Sequence, residues 1–141
     1  MTAEPGKLTV EHIHPPELFR HPAFTRVITV AGPMKLVFIA GQTSTDEHHR
    51  VVAPGDYLGQ YRQVMESLAV QLRAAGATWD SVVYRRVFTL DVDAMKAVEL
   101  DPSLPRWWDP EKPPASSLIG VTRLAEPEYL LEVELFAVVE P

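Results

Sequence analysis

Two glutamates near the C terminus, Glu132 and Glu134, alternate with apolar residues in the segment LLEVELFAVV. Because successive side chains of a β-strand point to opposite faces of its sheet, the alternation places Leu131, Val133 and Leu135 on one face and Glu132, Glu134 and Phe136 on the other. A carboxylate on a sheet face is either solvated or lines a site. The last two strands, from about residue 115 to 137, are therefore a candidate wall of a small-molecule site, with solvated charge as the alternative.

Histidines and serines offer weaker chemical signals. His12 and His14 would share one face of a strand, but no third ligand follows at a recognisable metal-site spacing, which favours solvated histidines over a metal pair. Ser116 and Ser117 lack the Gly-x-Ser-x-Gly pattern that exposes a nucleophilic serine. We therefore predict neither a metal site nor a serine nucleophile.

Two pairs of adjacent residues leave alternatives open. Arg85 and Arg86 would point to opposite faces of a strand, so either could bring a cation to a pocket, or both could be surface charges partnered by acidic residues. Trp107 and Trp108 lie between prolines just before the Ser116 strand. They could cover a pocket, form a patch buried between subunits or simply pack within the chain.

Composition narrows the function classes. The chain has 141 residues, a net charge of -6 and no cysteine. This length predicts one domain, the acidic balance argues against nucleic acid as the main partner, and the missing cysteines exclude disulfides and thiolate chemistry. The first 20 residues contain no apolar run of signal-peptide length, and no segment approaches a membrane span. We expect a cytoplasmic protein that does not bind membranes.

The elements that must position these residues can be read from the pattern. Segments 25–31 and 35–40 are rich in Val, Ile and Phe and predict a β-hairpin, and residues 8–13 are a candidate edge strand before it. An amphipathic stripe predicts a helix over 56–75, with Asp56 as N-cap and Gly76 as its stop. A strand at 81–90, a short helix at 93–100, a proline-rich irregular stretch at 101–114 and strands at 116–123 and 129–139 follow. The order β-β-β-α-β-α-β-β predicts an α+β fold with helices on one face of a sheet.

Three motifs in register resemble one known family. The segments FIAGQTSTD, AAGATWDSVVYRRVFTLDVD and PPASSLIGVTRL…LLEVELFAVV resemble the RidA/YjgF family, formerly called L-PSP endoribonucleases, over residues 24–139. The resemblance implies a chorismate-mutase-like α+β protomer that forms a barrel-shaped homotrimer with a pocket at each subunit interface. It also implies hydrolysis of enamines and imines, such as 2-aminoacrylate, to a keto acid and ammonia, without cofactor or metal.

The resemblance also implies site residues. The family's Gly-Gln pair corresponds to Gly41 and Gln42, and its strand glutamate, which holds or activates water, corresponds to Glu132. The arginine that binds the substrate carboxylate in Pro-Ala-Arg-Ser is replaced by Ser116. The family's cysteine two positions on becomes Leu118, and its N-terminal tyrosine corresponds to Phe24.

The loss of this arginine changes the expected substrate. A guanidinium binds a carboxylate with two charge-assisted hydrogen bonds, whereas a serine hydroxyl gives one neutral donor, and the difference costs roughly 1.5–3 kcal/mol. We expect the chain to be a single RidA-like domain over 1–141, with 1–23 as an N-terminal extension. We further expect a member of an arginine-lacking branch, acting on an imine or enamine that is not a simple amino-acid derivative. The alternatives are a non-catalytic trimer that binds a metabolite or protein partner, and an endoribonuclease, which the acidic charge disfavours.

Overall fold

The computed structural model describes residues 5–141, so the first four residues of the expected N-terminal extension lie outside it. Within residues 5–141, two helices and six strands follow one another in the order predicted from the sequence. A short 3-10 helix, Trp79–Ser81, precedes the fourth strand. The elements are β1 (Thr9–Ile13), β2 (Val27–Ala31), β3 (Lys35–Gln42), α1 (Tyr57–Ala74), β4 (Val82–Thr89), α2 (Val92–Glu99), β5 (Ala115–Gly120) and β6 (Leu131–Val139).

The main sheet has four strands in the order β3-β6-β4-β5. Strand β6 runs antiparallel to both of its neighbours, while the edge strand β5 runs parallel to β4. Both helices pack on the same face of this sheet, so the predicted α+β class is confirmed. Residues 101–114, predicted to be irregular, contain neither helix nor strand.

The predicted hairpin between 25–31 and 35–40 is wrong. Strand β2 pairs with β1 in a separate two-stranded sheet, and β3 pairs with β6. Pairing with β6 places Val37 and Ile39 in the main core, where they are buried. Core burial therefore decided the pairing against the nearby Gly-Pro turn.

Helix α1 forms where the apolar stripe predicts it. Its buried residues pack against β6, and the side chain of Asp56 caps the helix by accepting a hydrogen bond from Gly59 N at 3.0 Å. Gly76 follows the helix at a φ of +74°, a conformation that glycine adopts without steric cost. The buried side chains of this helix are Gln60, Tyr61, Val64, Met65, Leu68 and Leu72.

The alternation of apolar and acidic residues along β6 determines which of its side chains face the helices. Leu131, Val133 and Leu135 are fully buried beneath the helices, as predicted. Glu132 and Glu134 consequently lie on the opposite side of the sheet, which we call the distal face, and both are half-buried. Within residues 5–141, no helix combines the length and the apolarity needed to cross a bilayer.

Candidate functional site

The carboxylate of Glu132 lies against the backbone of Gly41. A Cβ atom at position 41 would lie 2.7 Å from Glu132 Cδ and 2.8 Å from its Oε2. Gly41 stands where the β3–β6 register shifts between Ile39 and Gln42, so the backbone departs locally from the regular ladder. The structure thus brings together two residues that the sequence motifs single out, and the missing side chain at position 41 makes room for the carboxylate.

Burial and a neighbouring charge both act on Glu132. Burial raises the pKa of the Glu132 carboxyl above its ordinary value, and the negative charge of Glu134 raises it further. Glu134 itself forms an ion pair with Arg86 on the same face. A carboxyl group with a raised pKa can serve as an acid as well as a base, which suits proton transfer in both directions.

The raised pKa of Glu132 predicts a pH dependence of stability. A folded state that holds a proton more tightly than the unfolded chain is stabilised at acid pH, and this contribution is lost as the pH rises through the raised pKa. We therefore expect Glu132→Gln to unfold at a higher urea concentration than wild type at neutral pH. The difference should disappear below the ordinary glutamate pKa of 4.5.

Urea denaturation at a fixed protein concentration would measure this difference, with the exposed Glu126→Gln as control. The same stability difference at neutral and acid pH would contradict the electrostatic explanation.

A methyl group at Gly41 should displace the carboxylate. Because the atoms it would meet belong to the mobile end of a side chain, we expect Gly41→Ala to fold with a change in unfolding free energy below about 1 kcal/mol. We also expect at least a tenfold fall in any activity that depends on Glu132, because small misplacements of catalytic groups are costly. Thermal denaturation and an activity assay of the same sample would test this. Full activity would exclude a role for the Gly41–Glu132 contact.

Three other predicted residues, Phe24, Ser116 and Leu118, line a separate cavity of about 340 Å³. Ser116 pairs in register with Arg85 of β4, and Arg85 pairs with the buried Leu135 of β6. Side chains at paired positions share a face, so Ser116 lies on the helix-covered side of the sheet. The cavity therefore lies between β5, α2 and the segment before β2.

The predicted site residues thus form two groups within one chain. Glu132 and Gly41 lie together on the distal face, and the Ser116 cavity lies on the helix-covered face near the opposite edge of the sheet. One copy of the chain does not bring the two groups together. We call them the glutamate half-site and the serine half-site.

Gln42, predicted to bind substrate, has both ends of its amide engaged. Its Oε1 accepts a hydrogen bond from Gln71 Nε2 at 2.7 Å, and its Nε2 donates to the carbonyl of Thr43 at 2.8 Å. These bonds connect the end of β3 to α1. Gln42 is therefore placed to hold the backbone around Gly41.

The two arginines of β4 take different environments. Arg85 is only 6% exposed; its Nη1 donates to Tyr61 Oη and its Nη2 to Glu99 Oε1, both at 2.8 Å. Its guanidinium also lies 5.2 Å from the ring centroid of Trp108. Both arginines have acidic partners, but Arg85 is buried and contributes to the wall of the Ser116 cavity.

The remaining candidates form packing and hydrogen-bonding contacts, and Trp107 and Trp108 also line a cavity of about 210 Å³ beside Arg85. Trp107 and Trp108 pack against Trp79, with ring centroids 5.7 and 5.8 Å apart. His12 Nδ1 lies 2.9 Å from Thr25 Oγ1. Among residues 5–141, no group of three or more His, Asp or Glu side chains is placed to hold a metal ion.

The protein is of the α+β class, with a four-stranded sheet that has two helices on one face and a half-buried glutamate on the other. Its family follows from its similarity to known proteins. The family model for endoribonuclease L-PSP matches residues 21–139. RutC family protein slr0709 of Synechocystis is 31% identical over 103 residues, covering 72% of this chain and 77% of that protein. RutC family protein PH0854 of Pyrococcus horikoshii is 32% identical over 102 residues, again covering 72% and 77% of the two chains.

A solved structure extends the comparison to the fold. The crystal structure of YyfB, a protein of the conserved Rid family from Yersinia pestis, superimposes with a TM-score of 0.72 at 27% identity. The match covers 92% of this chain and 98% of YyfB. The chain belongs to the endoribonuclease L-PSP family, which is the RidA/YjgF family indicated by its sequence motifs.

Proposed function

We propose that this chain is a Rid-family hydrolase that acts on a small imine or enamine at clefts between the subunits of a homotrimer. The observation that carries the proposal is the position of Glu132, whose carboxylate lies against Gly41 with its pKa raised by burial and by Glu134. A carboxylate in this setting can take a proton from water and return it to a leaving amine.

The proposed reaction uses Glu132 in both protonation states. As water adds to the carbon of a protonated C=N bond, Glu132 accepts a proton from the water, and a neutral carbinolamine forms. The protonated carboxyl then gives this proton to the nitrogen. As the C–N bond breaks and the carbonyl forms, Glu132 accepts the hydroxyl proton and passes it to the departing ammonia, which leaves as ammonium. An enamine first becomes an imine by protonation at carbon. No further reactant is needed to balance these steps.

The distal face that carries Glu132 also has exposed apolar side chains, which supports its placement at an interface between subunits. Leu36 and Phe38 on the distal face are 56% and 70% exposed, and the ring of Phe136 lies 5.4 Å from that of Phe38. A contiguous exposed apolar patch is typical of a surface that another molecule covers. In our proposal a second copy of the chain covers it, and cyclic symmetry repeats the contact three times.

The division of the site supports the same assembly. Because the two half-sites lie on opposite faces of one sheet, a complete pocket needs the glutamate half-site of one subunit and the serine half-site of its neighbour. Such an arrangement would surround a substrate with Glu132 on one side and with Phe24, Ser116 and Leu118 on the other. Short 2-imino acids such as the one derived from 2-aminoacrylate should be poor substrates, because Ser116 lacks the two-bond grip of the family's arginine and their small bodies leave the apolar wall of the cavity of about 340 Å³ unfilled.

The proposal is tested by measuring ammonia release from freshly generated imines and enamines, together with the molecular mass in sedimentation. We expect a trimer and ammonia release faster than the uncatalysed rate, with larger imines preferred over the imine of 2-aminoacrylate. A monomer would contradict the interface cleft. A trimer that is stabilised against heat by these compounds without releasing ammonia would instead indicate a non-catalytic binding protein.

A further inference from the structure

The cavity beside Ser116 carries a charge that its sequence motif does not supply. Three ionisable side chains from β4 and α2 contribute to its wall, namely Arg85, Lys96 and Glu99. His21, from the segment before β2, also contributes to the wall. With histidine counted as neutral, the two positive charges and one negative charge leave a net of +1. The uncharged part of the wall is largely apolar and includes Ala23, Phe24, Leu100 and Leu118.

Arg85 is the central group of this wall. Its backbone pairs with that of Ser116, so its side chain leaves the sheet directly beside the position that lacks the family's arginine. Although Tyr61 and Glu99 each accept one hydrogen bond from it, its buried Nε has no hydrogen-bond partner among residues 5–141. A guanidinium has five N–H groups, and the bonds to Tyr61 and Glu99 use only two of them, so the Arg85 side chain keeps donors for a ligand in the cavity.

We infer that the Ser116 cavity recognises a largely apolar monoanion, and that Arg85 and Lys96 bind its carboxylate in place of a residue at position 116. This inference deepens the proposed function and rests on it, since it names the substrate class as an apolar imine or enamine that carries one carboxylate. A volume of about 340 Å³ accommodates a ring together with a carboxylate. The apolar side chains contact the body of the ligand, and the net positive charge selects the anion over a neutral analogue.

A substitution at Glu99 separates anion selection by the cavity from a purely structural role of the Arg85–Glu99 pair. Its carboxylate neutralises one of the two cations, so Glu99→Gln raises the net charge of the wall from +1 to +2 while keeping an oxygen acceptor for Arg85 Nη2. If the pair only stabilises the fold, this substitution weakens the cavity or leaves binding unchanged. If the cavity selects an anion, it increases the affinity for an anion and not for its neutral analogue.

The probes are 3-phenylpropionate and its neutral amide, 3-phenylpropionamide. Binding is followed by NMR titration of ¹⁵N-labelled full-length protein carrying Glu132→Gln, so that no turnover is required. We expect the acid to bind about tenfold or more tightly than the amide, as a hydrogen bond to a charged group implies. The shifted resonances should include Ser116 and Leu118.

Three variants complete the experiment. Glu99→Gln should increase the ratio of acid to amide affinity, and Lys96→Gln should lower it. Glu66→Gln, an exposed change of the same charge outside the cavity wall, should leave it unchanged. Lys96 is exposed, so its variant remains informative even if Glu99→Gln does not fold.

Equal binding of the two probes, binding of neither at millimolar concentration, or an unchanged ratio in both cavity variants would overturn the inference. These outcomes do not depend on catalysis. Selective binding of the acid without ammonia release from any imine would contradict the proposed reaction and leave the anion site standing.

Discussion

Replacing Glu132 with glutamine should lower ammonia release by about 10²–10⁴-fold, the range that one general acid–base group contributes. Glutamine keeps the size of the side chain, so the space beside Gly41 stays filled, but an amide cannot take a proton from water. The loss should appear in kcat, with little change in KM, because the substituted group acts on the reacting atoms and not on the body of the substrate.

The matched control is Glu126→Gln, an exposed glutamate in the turn before β6. This variant makes the same chemical change at a nearby position in the sequence, and it should retain the wild-type rate. Both variants should sediment as wild type does. If Glu132→Gln released ammonia at the wild-type rate, Glu132 would have no catalytic role, and the raised pKa would be only a consequence of its burial.

Local patterns predicted the elements well because short-range rules determine them. The face assignment in β6 follows from a two-residue period, which any extended strand must have, and Leu131, Val133 and Leu135 are buried accordingly. The start of α1 follows from the single hydrogen bond that Asp56 accepts from Gly59. Neither prediction depends on a distant part of the chain.

Strand pairing could not be predicted in the same way. The short Gly-Pro connection after β2 indicated a hairpin, but β3 gains more burial by pairing with β6, which lies almost 100 residues further on. Which face of the sheet Ser116 occupies also depends on a distant partner, since the parallel register of β5 on β4 places it beside Arg85. Sequence motifs therefore singled out candidate site residues without revealing that they form two separate groups.

The burial of Arg85 also could not be predicted from the sequence, because it depends on distant residues. The sequence indicated that Arg85 and Arg86 point to opposite faces, and this is observed: one contacts α1 and α2, and the other pairs with Glu134 on the distal face. It could not indicate which one would be buried. That depends on Tyr61 and Glu99, which meet the Arg85 guanidinium only after both helices pack on the sheet.

Two inactive variants should restore activity when they assemble together. Ser116→Trp fills the serine half-site, and Glu132→Gln disables the glutamate half-site, so each variant alone should release almost no ammonia. In randomly mixed trimers, a cleft is intact when the subunit that supplies Glu132 is the tryptophan variant and its neighbour is the glutamine variant. Since each condition is met half the time, co-expression should recover about a quarter of the wild-type activity.

A second co-expression experiment with the same substitutions tests whether each cleft is built from two subunits or from one. When wild-type subunits are co-expressed with a chain that carries both substitutions, clefts built from two neighbours should retain about a quarter of full activity, whereas sites contained within one chain would retain about half. Native mass spectrometry would establish that the subunits mix, and Leu118→Trp offers an independent way to fill the cavity. If mixed trimers of the two single variants stayed inactive, the half-sites would not join across a subunit interface. The division of Glu132 and Ser116 between two faces of the sheet would then require a different explanation.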